Sequence, residues 1–365
     1  MSSGFDVKNS IMQIHPYVPG ESKLGTEKPI RQLAANEAPL GASPKAIEAA
    51  QDSVAQLNRY PEGGAVALRE KISERFGFPA QQLICGAGSD EIIALICQAF
   101  TGEGKEVLYS QHGFLMYKIS ALAAGATPVA APETNLRTDV DSMIEHVTEN
   151  TRVVFVANPN NPTGSYSTKA ELDRLHAALP EDALLVIDAA YSEYVDADDY
   201  ADGSELVAKH SNVVMTRTFS KLFGLAALRI GWAYGSEEVI DILNRVRGPF
   251  NVSVPAQAAA TAALDDWDWA MDAKQLNNRL LPAVTQRLRG MGLTVYDSVG
   301  NFILIDFDNP DRATAADEYL RAEGIIGRSV AGYGLPTCLR MTIGTEDDMD
   351  AVNQALTRFI ESESA

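Results

Sequence analysis

Cysteine is scarce in this chain. Its 365 residues hold only Cys85, Cys97 and Cys338, widely spaced and without a CxxC, so neither a disulfide framework nor a thiolate metal site is indicated. His15, His112, His146, His176 and His210 stand apart from one another with no zinc-site spacing, and no metal is expected. Positive charge is in short supply too. With 30 Lys and Arg against 49 Asp and Glu, the net charge is −19, which argues against nucleic acid and anionic membrane surfaces as partners. Long apolar runs are missing. None reaches the length needed to span a bilayer, and residues 1–20 lack the apolar core of a secretory signal. A cytoplasmic, reducing compartment is the expectation.

What remains is an ordinary globular composition in a chain longer than one compact core usually holds. A larger and a smaller domain are expected. Residues 1–40 are irregular and read as an arm laid over the smaller domain. Ser43-Pro44 opens a helix, with a capping residue followed by proline at the first helical position. Ile47, Ala50, Val54 and Leu57 share one face of it. Tyr60-Pro61-Glu62-Gly63-Gly64 ends that helix, and a second runs to Phe76. Short apolar runs then alternate with helical patterns, at Glu106–Tyr109, Val153–Val156, Leu184–Ile187 and Val213–Thr216. That alternation predicts an α/β body over 41–254, with a mostly parallel sheet covered by helices. After Pro255 two helices, a strand, a helix, a strand and a final helix predict a smaller α+β domain over 255–365.

Three segments fall just beyond the ends of such strands, where open α/β sheets bind ligands. They are Asn158-Pro159-Asn160-Asn161-Pro162-Thr163-Gly164, Asp188-Ala189-Ala190-Tyr191, and Thr218-Phe219-Ser220-Lys221 with Arg229 eight residues on. A lysine beside a small hydroxyl residue and an arginine suits an aldehyde that also carries a phosphate: the amine condenses with the carbonyl, and hydroxyl and guanidinium hold the dianion. Asp188 ends an apolar strand, and a buried carboxylate demands a cation. Gly86-Ala87-Gly88-Ser89-Asp90-Glu91 precedes an apolar helix and puts backbone N–H groups at its N-terminus.

Together these segments resemble the fold-type I pyridoxal-phosphate aminotransferases, with the closest match to the histidinol-phosphate aminotransferase branch, over nearly the whole chain. The resemblance implies pyridoxal 5'-phosphate as cofactor and Lys221 as the catalytic lysine that bonds it and shuttles the substrate proton. It implies Asp188 on the pyridinium nitrogen, Asn161 and Tyr191 on the 3'-oxygen, and Ser89, Asp90, Ser220 and Arg229 around the phosphate. Arg59-Tyr60-Pro61 matches a motif whose tyrosine reaches the partner subunit's phosphate, so Tyr60 is expected to act across a homodimer with shared sites. Phe114, in Gln111–Tyr117, aligns with the aromatic residue that stacks on the ring, and Tyr117 competes for the role. Ala189 stands where the family usually has glutamate.

On the substrate side, Gly332–Thr345 looks like the family segment whose arginine binds the α-carboxylate, which would be Arg340. Arg328 sits where the histidinol-phosphate enzymes carry an arginine near the substrate phosphate. Tyr17 and Asn36 resemble the arm and loop that cover the substrate. The implied reaction is transamination between histidinol phosphate or imidazole-acetol phosphate and 2-oxoglutarate or glutamate. An aromatic amino-acid aminotransferase, a decarboxylase of an amino-acid phosphate and a non-catalytic binding module on the same fold are the alternatives. Retention of Lys221, Asp188, Asn161 and Arg229 together argues against the last, and the amino acceptor stays open.

Overall fold

The computed structural model describes residues 7–16 and 28–363. A two-residue strand β1 (Arg31–Gln32) follows the early segment. Helix α1 (Pro44–Ser53) starts where Ser43 Oγ accepts the Ala46 N–H at 3.1 Å, and α2 (Val66–Phe76) comes next. The central body carries strands β2 (Leu83–Gly86), β3 (Glu106–Ser110), β4 (Thr127–Ala131), β5 (Thr151–Ala157), β6 (Leu184–Asp188), β7 (Val213–Thr218) and β8 (Gly231–Gly235). Between and after them lie α3 (Ser89–Phe100), α4 (Leu115–Ala124), α5 (Val140–Glu145), α6 (Lys169–Ala177), α7 (Ser204–Lys209) and α8 (Glu237–Val246).

These seven strands form one sheet in the order β2-β8-β7-β6-β5-β3-β4. Only β8 runs antiparallel to its neighbours, so the expected mostly parallel sheet is present. Its inner strands are apolar on both faces because helices cover both. Val154, Val156, Leu185 and Ile187 enter one core, and Val153, Phe155, Leu184 and Val186 the opposite one.

Helices α9 (Val254–Asp265) and α10 (Trp267–Gly290) lead to the smaller unit. There β9 (Thr294–Val295), β10 (Phe302–Asp306), β12 (Arg328–Ser329) and β13 (Cys338–Thr342) make an antiparallel sheet ordered β12-β13-β10-β9. Helices α11 (Pro310–Ala322) and α12 (Glu346–Glu363) pack against it, and β11 (Ile325–Ile326) pairs in parallel with β1. The stretch 255–365 thus begins with a helix and a half seated on the larger body. Ala256, Ala259, Ala260, Ala270 and Ala273 lie in the core of the large sheet, whereas Val284 and Leu288 of the same α10 lie in the small one.

One expectation fails at α1. Ile47, Ala50, Val54 and Leu57 do not share one face: α1 ends at Ser53, Ile47, Val54 and Leu57 are exposed at 47%, 52% and 65%, and Ala50 packs inward beside the fully buried Ala46. The reason is steric fit. The alanine-rich α9 lies against α1, and small side chains let the two backbones approach, so the larger apolar residues face away.

Candidate active site

The carboxyl ends of β2, β3, β5, β6 and β7, the loop 33–37 and the edge of the small sheet enclose a cavity of about 410 Å³. It lies where the sequence placed the site. Lys221, Ser89, Asp90, Phe114, Asn161, Asp188, Tyr191, Ser220, Arg229, Asn36, Arg328 and Arg340 all line it.

At its floor Asp188 is buried at the end of β6. Tyr117 Oη donates to its Oδ2 at 2.8 Å and Thr216 Oγ1 to its Oδ1 at 2.9 Å. Burial pushes its carboxyl up to about 6, although both hydroxyls pull the other way. Such a group invites a cation from the cavity. Neither contact with Asp188 follows from the sequence. Thr216 is the register partner of Asp188 across β6 and β7, and that pairing is invisible in a linear sequence. Tyr117, the alternative for ring stacking, is wholly buried behind the cavity. Of Phe114 and Tyr117, it is Phe114 that lines the cavity, with Tyr191 and Tyr333 as the other aromatic residues of its wall.

The Lys221 amine donates to the Ala35 carbonyl at 2.8 Å and lies 5.8 Å from the centre of the Tyr191 ring. Its pKa is lowered to about 8. Burial is the largest cause and Arg340 the next, with Asp90 and Glu37 opposing. An amine that loses its proton near neutrality is a nucleophile and a proton carrier.

Opposite it, α3 presents its first turn. Gly88, the capping residue, has φ +85°, and a Cβ there would meet the Arg229 guanidinium at 2.5 Å. The glycine lets arginine, Ser89 and the helix N-terminus surround one small space. Arg229 Nη1 donates to Ser220 Oγ at 3.3 Å and Nη2 to Asp90 Oδ2 at 2.9 Å. The Asp90 carboxylate is therefore engaged by Arg229 and repels an anion, which leaves its backbone N–H as the useful group. The donor set suits a phosphate.

On the small-domain side, Arg340 donates through Nη1 to Asn161 Oδ1 and through Nη2 to the Ala34 carbonyl at 2.5 Å. Arg328 stands directly across the antiparallel pair β12–β13 from Arg340. Two guanidiniums on one wall make that side of the cavity suited to an anionic ligand. Asn36 Nδ2 donates to Tyr191 Oη at 2.9 Å.

Tyr60 is not in this cavity. It is 81% exposed and stacks on Phe250, ring centres 4.6 Å apart. Tyr17 lies outside the described residues. Among the described residues no helix is long and apolar enough to cross a membrane. Chemically, the cavity offers a depressed amine, a buried carboxylate for a ring cation, an aromatic wall, a phosphate cradle and two arginines for an anionic substrate.

Comparison with known proteins agrees with this chemistry. The profile of the aminotransferase class I and II family matches residues 28–356. A histidinol-phosphate aminotransferase of Rhodospirillum centenum is 54% identical over 347 residues, which are 95% of this chain and 96% of that one. One from Paramagnetospirillum magneticum is 51% identical over 352 residues, 96% and 97% of the two chains. Among solved structures, histidinol-phosphate aminotransferase from Sinorhizobium meliloti in complex with pyridoxal-5'-phosphate superposes with a TM-score of 0.90. It is 26% identical, and the match covers 99% of each chain.

Proposed function

Because the chain belongs to the aminotransferase class I and II family, we propose that it uses pyridoxal 5'-phosphate to move an amino group between glutamate and imidazole-acetol phosphate, giving 2-oxoglutarate and histidinol phosphate. Bound, the cofactor supplies an aldehyde and a ring cation that draws electrons from the substrate's α-carbon. Lys221 would hold the aldehyde, and its amine would carry the proton to and from that carbon; its depressed pKa supports both tasks. Asp188 keeps the ring nitrogen protonated, braced by Tyr117 and Thr216. Phe114 stacks on the ring, and Asn161 and Tyr191 hold its 3'-oxygen. Ser89, the Asp90 N–H, Ser220 and Arg229 hold the phosphate.

Arg340 takes the α-carboxylate of glutamate and Arg328 the phosphate of the other substrate. The observation that carries the substrate choice is their placement opposite each other on β12 and β13. At net charge −19 the protein repels a dianion at long range, and only such local cations overcome that. The working unit is a homodimer in the cytoplasm. The outward Ile47, Val54 and Leu57 support a second copy seated on α1, with Tyr60 reaching its partner's cofactor phosphate.

Initial rates with glutamate test the reading against its nearest rival. Imidazole-acetol phosphate should be the preferred acceptor over phenylpyruvate and 4-hydroxyphenylpyruvate. Preference for the aromatic acids would make the protein an aromatic aminotransferase instead.

A further inference from the structure

In the loop 33–37 that roofs the cavity, Asn36 bonds to both halves of the molecule. Asn36 is almost fully buried and left-handed, with φ +55°, a conformation that asparagine tolerates better than most residues. Its backbone N–H donates to Thr342 Oγ1 at 2.9 Å, and its carbonyl accepts from Asn301 Nδ2 at 3.1 Å. Its side-chain Nδ2 donates to Tyr191 Oη at 2.9 Å, and its Oδ1 accepts from Thr342 Oγ1 at 3.4 Å. The Thr342 oxygen already accepts the Asn36 N–H, so its single proton is free for Oδ1. That contact orients the amide with Nδ2 toward Tyr191.

We propose that Asn36 is a positioning residue, which aims the hydroxyl proton of Tyr191 into the cavity, rather than a group that binds substrate. A phenol has one proton to give. With Asn36 donating to its oxygen, that proton cannot turn back to the loop. Tyr191 is otherwise buried, and its open side is the cavity. The inference rests on the cofactor reading above, in which the target of this proton is the ring's 3'-oxygen. A hydrogen bond donated to an anionic oxygen favours the charged form. Asn36 thereby acts, one residue removed, on the pH at which the bound cofactor titrates. Burial leaves the Tyr191 hydroxyl pushed up to about 12, with Arg340 and then this same Asn36 contact pulling the other way.

The test is the visible absorbance of cofactor-loaded protein, without amino acid, followed from pH 5 to 10. Asn36→Asp keeps the shape but accepts the tyrosine's proton. Asn36→Gly keeps the left-handed backbone and removes the donor. Both should move the titration midpoint upward, on the order of one pH unit. Tyr191→Phe should move it the same way, and adding Asn36→Gly to Tyr191→Phe should move it no further. An unchanged midpoint in both Asn36 variants overturns the proposal, and a raised KM alongside it returns Asn36 to substrate binding. Additive shifts in the double variant overturn it as well. A parent protein that gains no visible band on loading overturns the cofactor reading itself, and the inference with it.

Discussion

Replacing Asp188 by asparagine should make the cofactor-free protein more stable while nearly abolishing its activity. The carboxyl is buried and holds its proton up to about pH 6, against an ordinary value of 3.8. That gap of about two pH units corresponds to about 3 kcal/mol. The folded state binds this proton more tightly than the unfolded chain does. Its contribution is therefore complete below about pH 4 and is lost as the pH rises through about 6. Asparagine resembles the protonated form at every pH, and Tyr117 and Thr216 remain able to bond it.

Asp188→Asn should thus exceed the parent at pH 8 by up to about 3 kcal/mol, with roughly half that advantage left at pH 5. Urea unfolding of both cofactor-free proteins at pH 5, 6, 7 and 8 measures the difference. Loss of the anion facing the ring nitrogen should meanwhile cut kcat about a hundredfold or more. A stability gap that does not change with pH, or a variant weaker than the parent at pH 8, would refute the argument. It would mean that the carboxylate is satisfied by the protein alone and does not await a cation.

Three further outcomes are expected. Arg328→Ala should lower kcat/KM for histidinol phosphate by about 2 kcal/mol more than for phenylalanine, whereas Arg340→Ala should cripple the glutamate half-reaction with any acceptor; equal losses for both substrates in Arg328→Ala would remove its phosphate role. Tyr60→Phe chains mixed with Lys221→Ala chains should form hetero-dimers with one intact site and one carrying both lesions. Activity that does not depend on mixing would keep Tyr60 in its own subunit. In cofactor-free protein Lys221 should react with an amine-directed label with a midpoint near pH 8, well below surface lysines, as peptide mass spectrometry reads it; labelling that tracks ordinary lysine would contradict the desolvated amine.

Much of the site was legible because its residues sit in short runs at strand ends. Asn161, Asp188 and Lys221 each follow an apolar strand, and the parallel order of β5, β6 and β7 brings all three to one edge. What depends on register was not legible. Thr216 beneath Asp188 and Arg328 opposite Arg340 are set by pairings across strands. Nor does a helical pattern say which side of α1 faces inward. The pattern groups Ile47, Ala50, Val54 and Leu57, but α1 ends at Ser53 and packing with the alanine-rich α9 takes Ala50 inward and leaves Ile47, Val54 and Leu57 exposed. Position alone makes Asp90 a phosphate ligand, whereas in the fold Arg229 engages its carboxylate.

The central claim is that Lys221 holds the cofactor in the cavity at the edge of the large sheet. Loading the protein with pyridoxal phosphate, reducing with borohydride and mapping the peptides tests it most directly. The account predicts a reduced cofactor adduct on the peptide that carries Lys221, stoichiometric with protein and missing from Lys221→Ala. An adduct scattered over other lysines, or one that persists at full yield in Lys221→Ala, would contradict it.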